Sequence, residues 1–598
     1  MQKFFKTVAK IFLFTILCFN FAYAENITGS GNEVAEDTDE QQNINADDTE
    51  VTVKSSFTLE RANSSIKTNT RKNATIVVES GATVSTSTGS NAIQAIDAGK
   101  GLSITNSGTV KAAASKAINL TDVEEGTLTN NSGGIIQANT NTISMLESDG
   151  DTTQYITINN SGTIFATDNS NVETNTIKTD DDSSFITINN NSGGHIYHTS
   201  AGPVIMLGGS ATLNNSGKIE NQDGPNEESI TMSGSAGAKV NLNDGGLVIG
   251  TIRITGSGHK LNVKHGPGQG YYYETVGSGS YEIKDLNKNP IVKGSAGSVG
   301  QGSNETIDET LGYKSLNLRK SLTRFKKNDE YSDQQKAWGE IFSSFQKRKE
   351  KSGILRLGNE TVGLGANIIN PISVDKNLIV SVETGLQKFS KDHDVNKFNF
   401  STGFQFDDIK INEEIKTEIF LLGGIGYNDS KRQILTNTTT SGLLDITDTY
   451  FNYDFLLGNK INFNSMLPDI GFNLGYSYTP THTESKYYKW KEKHVWNGSV
   501  ALSDEYELKK NNKTNFYLTW IADFRSVIDE NTQVFFVNGA QGSYSQDDDL
   551  KHEVSLSAGL NYEYEFSKNN IFLITLDALQ TSQFTNGLQA NLNYNFQF

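Results

Sequence analysis

A single cysteine, Cys18, is all the thiol that this 598-residue chain holds, and proline is nearly as scarce, with 7 residues. Cys18 lies inside the apolar run IFLFTILCF, so beyond it no disulfide, thiolate or cysteine-bound metal can form. Stability past residue 24 must come from burial and from ladder hydrogen bonds. Long apolar runs are missing as well: after the first, none reaches the ~18 residues of a membrane-spanning helix, and a membrane role would require a closed β-barrel. Positive charge is short, with 51 Lys and Arg against 69 Asp and Glu, for a net charge of −18. That balance and the lack of a basic stripe argue against nucleic acid as a partner. The stretch 25–50 carries 9 acidic residues and no Lys or Arg, which leaves too little to bury, and disorder is expected over residues 25–55. Aromatic residues are unevenly spread: all 4 Trp (Trp338, Trp490, Trp496, Trp520) lie beyond residue 337. Two architectures share the chain.

The N-terminus gives the first positive signal. Lys3, Lys6 and Lys10 precede the apolar run, and AYA, with small residues at Ala22 and Ala24, precedes a cut at Glu25. This reads as a secretory signal peptide over residues 1–24, with the Sec translocon as its expected partner. Thr15, Ile16 and Leu17 ahead of Cys18 lack the small residue that a lipidated cysteine needs. The aromatic half then alternates. In GLQANLNYNFQF, Leu588, Ala590, Leu592, Tyr594, Phe596 and Phe598 share one face, and Gln589, Asn591, Asn593, Asn595 and Gln597 the other. VSLSAGLNYEYEF behaves in the same way. About a dozen such runs, separated by short turns or longer loops, read as a transmembrane β-barrel over residues 331–598, apolar outside and polar inside. A soluble β-sandwich alternates too, but the signal peptide, the aromatic excess and the aromatic terminus favour the barrel.

KAWGEIFSSFQKRKE at Lys336–Glu350, followed by the alternating strands and a terminal aromatic-x-aromatic-x-Phe, resembles the translocator domain of monomeric (type V) autotransporters over residues 305–598. In that family the first strand carries a Trp-Gly pair, here Trp338 and Gly339, and the last strand ends on Phe, here Phe598. The resemblance implies a 12-stranded barrel in outer-membrane lipid. It also implies that Tyr594, Phe596 and Phe598 are the signal read by the barrel-assembly machinery, and that an N-terminal passenger is displayed on the cell surface.

Residues 56–300 are repetitive. LSITNSGTVKA, GTLTNNSGGIIQA, YITINNSGTIFA, FITINNNSGGHIYH and ATLNNSGKIE are variants of one unit, with glycines 108, 133, 162, 193 and 217 spaced 25, 29, 31 and 24 apart. Such periods indicate a solenoid. Each unit reads as a strand, an Asn-Ser-Gly corner that tolerates positive φ, and a second strand. A right-handed parallel β-helix is the expected passenger fold. Residues 239–290, richer in apolar strand residues, are a candidate autochaperone cap, the alternative being one more rung. Between the two parts, residues 301–330 carry a rough helical stripe broken by Gly312, and Arg319, Lys320, Arg324, Lys326 and Lys327 make its C-terminal part basic. An α-helical linker inside the polar lumen is expected, an exposed connector being the alternative.

Chemistry is sparse. His195 and His198 in HIYH would point to opposite faces of a strand, which argues against a shared metal. Ser233 in SGSAG lacks the strand-elbow-helix setting of a nucleophile elbow, and the Asp triplets at Asp180 and Asp547 read as solvated loop tips. No catalytic residue, metal or cofactor is expected. An all-β chain of β-helix, linker helix and barrel thus points to a surface adhesin or antigen, with a host cell-surface receptor as partner. The alternative is a displayed or released hydrolase (protease or esterase), whose catalytic groups would need an inserted domain that these short inter-rung segments hardly accommodate. A porin-like barrel with an incidental extension is a third reading.

Overall fold

The structure is a computed structural model that describes residues 32–37, 42–44, 46–61, 64–146, 153–167, 174–179, 185–266, 268–289, 291, 296–298, 310, 335–348, 357–389, 393–463, 467–485, 488–505, 514–529, 533–537, 540–544, 552–567, 570–582 and 585–597. Every strand and sheet named below lies within them.

Residues 32–285 form a parallel β-solenoid whose strands stack into three sheets of 11, 8 and 10 strands. Each strand pairs in register with its counterparts one turn away, as Val110 does with Val84 and Ile136. The repeat unit seen in the sequence supplies two of the three sheets, for example through Leu102–Asn106 and Thr109–Ala112. The third sheet, with strands such as Ile118–Thr121 and Ile143–Leu146, carries no comparable corner motif. Alternation places Ile104, Leu128, Ile158, Ile188, Leu213, Val240 and Leu261 in one buried column. Burying each such side chain contributes ~1.5–3 kcal/mol.

A second column of the core is polar. Asn106, Asn130, Asn160, Asn190 and Asn215 are buried, and each Nδ2 donates to the next Oδ1, at 2.8, 2.8, 2.9 and 2.9 Å. The corner glycines serve this ladder through their size more than through φ. A Cβ on Gly162 would lie 2.3 Å from the Gly134 carbonyl oxygen, and one on Gly217 2.3 Å from that of Gly194. Of the five repeat glycines only Gly133 and Gly193 adopt positive φ, 84° and 85°. In both turns the crowded position is the next residue, Gly134 or Gly194.

The acidic stretch expected to be disordered instead starts the coil. Asn32–Val34 pairs with Val51–Val53, and Gln42–Ile44 with Ile66–Thr68. Composition misleads here because Val34, Ile44, Val51 and Val53 fall on inward positions and are buried, while Glu33, Glu36, Asp37, Asp47, Asp48 and Glu50 remain exposed.

The second part is a closed antiparallel barrel of twelve strands: Lys336–Arg348, Leu357–Ser373, Lys376–Phe389, His393–Lys410, Ile415–Thr436, Leu443–Phe463, Asp469–Thr479, Lys493–Glu505, Thr514–Asp529, His552–Ser567, Asn570–Thr581 and Thr585–Gln597. The first pairs with the last from Lys336↔Gln597 to Arg348↔Thr585, which closes the ring. Ile341, Val362, Leu364, Leu556 and Leu576 stand more than half exposed on the outer wall. Aromatic residues flank that aliphatic band in two girdles. Near the end with Lys336 lie Phe516 and Tyr562, 4.8 Å apart, Tyr564, Phe566, Phe572 and Tyr594; near the other lie Tyr427 and Phe451, 5.4 Å apart, and Tyr476 and Trp496, 4.6 Å apart. Inside, Phe342 and Phe420 occupy space left by Gly363 and Gly458. No helix among the described residues is long and apolar enough to cross a membrane; this exterior suits a strand-built crossing.

Replacing Asn160 by Leu removes the donor to Asn190 Oδ1 and one of the acceptors of Asn130 Nδ2, which keeps the Gly134 and Thr163 carbonyls, at ~1–3 kcal/mol for the orphaned oxygen. Chemical denaturation should register that loss, whereas Thr157→Val on the outer face should stay within ~0.5 kcal/mol of wild type.

Candidate functional site

The barrel strands 415–436 and 443–463 are its longest, at 22 and 21 residues, and their connection 437–442 reaches the C-terminal end of the solenoid. Asn437 is fully buried there. Its Nδ2 donates to the carbonyls of Gly250 (3.0 Å) and Glu274 (2.9 Å), and its Oδ1 accepts from the Glu274 N–H (2.7 Å). The Asn437 carbonyl accepts from Gly250 N–H at 2.9 Å. Tyr271 and Tyr272 run parallel to Leu435 and Thr436, while Ala296–Ser298 pairs antiparallel with Tyr271–Tyr273. A barrel hairpin therefore meets backbone groups that the last solenoid turn presents.

Behind this contact lies a compact polar cluster. His265 Nδ1 donates to the Asn243 carbonyl (3.0 Å), which leaves Nε2 to accept from the Tyr273 hydroxyl (2.6 Å). Asp285 accepts from the Tyr271 hydroxyl (3.1 Å), Asn287 N–H (2.8 Å), Asn289 N–H (3.2 Å) and Asn289 Nδ2 (3.1 Å). Burial nonetheless outweighs these bonds and raises the Asp285 carboxyl above its ordinary 3.8, and burial also pushes the Tyr273 hydroxyl up. Strands 239–243, 259–264 and 281–285 of the candidate cap continue the solenoid ladder, and between the last two Tyr271 and Tyr272 pair with the barrel instead.

The junction fixes the path of the chain. Connections 349–356, 390–392, 437–442, 480–492, 530–551 and 582–584 join strands at the solenoid end of the barrel; 374–375, 411–414, 464–468, 506–513 and 568–569 join them at the other, where Lys336 pairs with Gln597. The chain leaves the solenoid side at Ser298 and begins the barrel at the opposite rim. Between them Thr310 is buried and donates through Oγ1 to Gln387 Oε1 at 3.3 Å. Gln387 faces the lumen, where its Nε2 donates to Asn359 Oδ1 (3.1 Å), an atom that also accepts from Thr361 (3.2 Å). Charges of both signs line the same interior, among them Arg348, Lys397, Arg432, Lys493, Glu340, Glu383 and Asp577, with Arg525 and Glu553 paired at 2.7 Å.

The sequence-derived residues fall in different places. Trp338 is buried and in register with Asn595, Gly339 is exposed and in register with Tyr594, so the start and end motifs meet at the closing seam. Tyr594 and Phe596 are exposed on the outer wall. Phe598, the signal residues Ala22, Ala24 and Glu25, the Asp triplets, and all of the expected linker helix 301–330 but Thr310, with Arg319, Lys320, Arg324, Lys326 and Lys327, lie outside the described residues. His195 is half-buried with its Nε2 3.0 Å from Glu220, while His198 points inward to Thr174 and Ser200. Ser233 is buried and donates to the Leu207 carbonyl at 3.2 Å. Asn437 was not singled out by sequence, since nothing in ILTNTTTSGLLDITD marks it.

No family model and no curated protein matches the chain. Among solved structures it is similar to the translocator domain of autotransporter NalP from Neisseria meningitidis, at 12% identity over 50% of this chain and 98% of that one, with a TM-score of 0.35. The barrel is similar in fold to autotransporter translocator domains. The transport unit of autotransporter AIDA-I from Escherichia coli is similar at 12% identity, over 49% of this chain and 99% of its own, with a TM-score of 0.31. The CymD monoaromatic hydrocarbon channel is similar at 8% identity, over 48% and 93%, with a TM-score of 0.30.

Two outcomes follow from the junction. Asn437→Ala removes the acceptor for Glu274 N–H, and hydrogen exchange at that amide should accelerate at least ~10-fold while the solenoid interior stays protected. Because the Asp285 carboxyl is raised in the folded state, that state holds the proton more tightly than the unfolded chain. Cap stability should therefore increase as pH falls from neutrality and level off below the ordinary 3.8. Exchange of the 281–285 amides against pH checks this, and Asp285→Asn should flatten the profile.

Proposed function

We propose that this protein is an autotransporter: an outer-membrane barrel whose β-solenoid passenger is carried through the lumen and held at the cell surface. The observation that carries this reading is the chain path. It starts at the solenoid side, has Thr310 hydrogen-bonded to lumenal Gln387 on the way, and enters the first strand at the opposite rim. A chain that ends translocation inside its own pore has this topology, whereas a porin with an incidental extension has no need of it. The exposed aliphatic band between two aromatic girdles supports placement in outer-membrane lipid. A signal peptide at residues 1–24 would route the chain through the Sec translocon, and the closing strand would be the part presented to the barrel-assembly machinery. Solenoid folding is local, each turn resting on the one before, so it can proceed outside the membrane as segments emerge and bias movement outward without a nucleotide.

The displayed solenoid is, in this reading, an adhesin or surface antigen that meets a host cell-surface receptor. Its long polar faces suit contact, while the hydrolase alternative draws no support from Ser233, whose hydroxyl is turned to a backbone carbonyl inside the coil.

The lack of cysteine past residue 18 makes the test direct. Thr310→Cys combined with Gln387→Cys should be joined by a short bis-maleimide in intact outer membranes from cells that display the solenoid. No cross-link in that population would overturn the lumenal path. Cells displaying the full chain should in turn bind epithelial cells saturably, and cells carrying a chain without residues 56–290 should not.

A further inference from the structure

The solenoid surface is polar almost throughout. Among its described residues the large apolar side chains left exposed are Tyr155 (54%), Phe185 (51%) and Leu286 (52%). The first two are neighbours on successive turns of the 11-stranded sheet, with rings stacked at 5.2 Å and 8°. Folding does not call for them. One turn earlier the same position is Glu125, and one turn later it is Ser210, two residues ahead of the Thr212 that pairs with Thr187. Ser210 is small, so the outer face of Phe185 borders a notch. The stacked pair Phe165 and Tyr197 on the 8-stranded sheet differs, being half-buried with His195 4.6 Å from Tyr197.

Two columns run beside Tyr155 and Phe185 on the same face. One is Ser103, Thr127, Thr157, Thr187 and Thr212; the other is Thr105, Thr129, Asn159, Asn189 and Asn214, continued by Asn241 and Asn262. The asparagines form an outer ladder, each Nδ2 donating to the Oδ1 of the turn before at 2.8, 2.8, 2.6 and 2.7 Å. All its donors point one way. The Asn159 amide nitrogen, at the head of the ladder and four residues from Tyr155, is left without a partner among the described residues. A chain of aligned amides polarises its terminal donor. From Ser103 to Asn214 neither column holds a charge.

The field measures roughly 13 Å along the strands and about 20 Å across the turns. An anion meets no cation in the columns, and a peptide finds no open backbone edge because each strand is paired on both sides. A neutral sugar chain offers what is wanted: C–H faces for the negative faces of aromatic rings, and hydroxyls that both donate to and accept from Thr and Asn. We propose that this face binds an uncharged oligosaccharide, with Tyr155 and Phe185 as stacking platform, the Asn159 amide as donor, and Thr157 and Thr187 as hydroxyl partners. The inference rests on the display reading, since the sheet must face the surroundings of the cell.

The test uses the full chain purified in detergent and titrated calorimetrically with maltohexaose, cellohexaose and chitohexaose, with a heparin hexasaccharide as anionic control. Saturable binding of at least one neutral chain and none of heparin is expected. Tyr155→Ala with Phe185→Ala should weaken it at least ~10-fold, as loss of aromatic anchors does, and Asn159→Leu by about 3-fold or more. Phe165→Ala on the other sheet should leave it unchanged. No binding of any of the three at millimolar concentration, equal binding by the double variant, or tighter binding of heparin would overturn the site. Antibody labelling of the solenoid on intact cells separates the two readings: a labelled solenoid that binds none of the sugars removes this site alone, and an unlabelled one removes display as well.

Discussion

Every peptide group of this chain needs a hydrogen-bond partner, and hydrocarbon supplies none. The barrel meets that demand by closure: the strand that opens it, Lys336–Arg348, finds its second neighbour in the strand that ends it, Thr585–Gln597. The solenoid meets it by stacking, each turn taking the backbone of the turn before. Stacking leaves a problem at its end, where the last turn presents groups with no successor. Asn437 answers Gly250 and Glu274 there, and the parallel pairing of Tyr271 and Tyr272 with Leu435 and Thr436 extends the barrel hairpin onto the coil. One requirement thus shapes the barrel, the coil and the joint between them.

Side chains on each part are sorted by what surrounds them. On the barrel, aliphatic groups such as Val362 and Leu576 face outward and polar ones such as Gln387 and Asn359 face inward, the reverse of a soluble core. In the solenoid the aliphatic columns are inside, yet an asparagine ladder shares that interior. Its amides are satisfied along the coil axis, so an apolar core holds a polar column at low cost. Glycine next to each ladder residue keeps the turns close enough for the bonds to form.

Barrel alternation was legible because period two runs through most of the barrel strands, with apolar groups outside and polar groups inside. Trp338 and Tyr594 were flagged through the family resemblance of their strands, and the structure brings those strands together. The solenoid was legible through its Asn-Ser-Gly corners, but its third sheet was not, since strands such as Ile118–Thr121 are short and flanked by no repeated corner. The acidic start was misread because four buried valines and isoleucines are lost among acidic residues when composition is averaged. Asn437 was invisible for another reason: its partners lie 163 and 187 residues away, and a local pattern holds no trace of such contacts.

The hairpin that joins barrel to coil also sets how the molecule carries load. A solenoid held at one end is a cantilever, and drag at its far tip becomes torque at the root. There the strand pair at Tyr271–Tyr272 and Leu435–Thr436 lies side by side, so tension along the strands shears its bonds together, whereas bending opens them one after another. A joint of this geometry resists tension along the strands more than sideways bending, so the coil can tilt on the barrel before its strand pair parts.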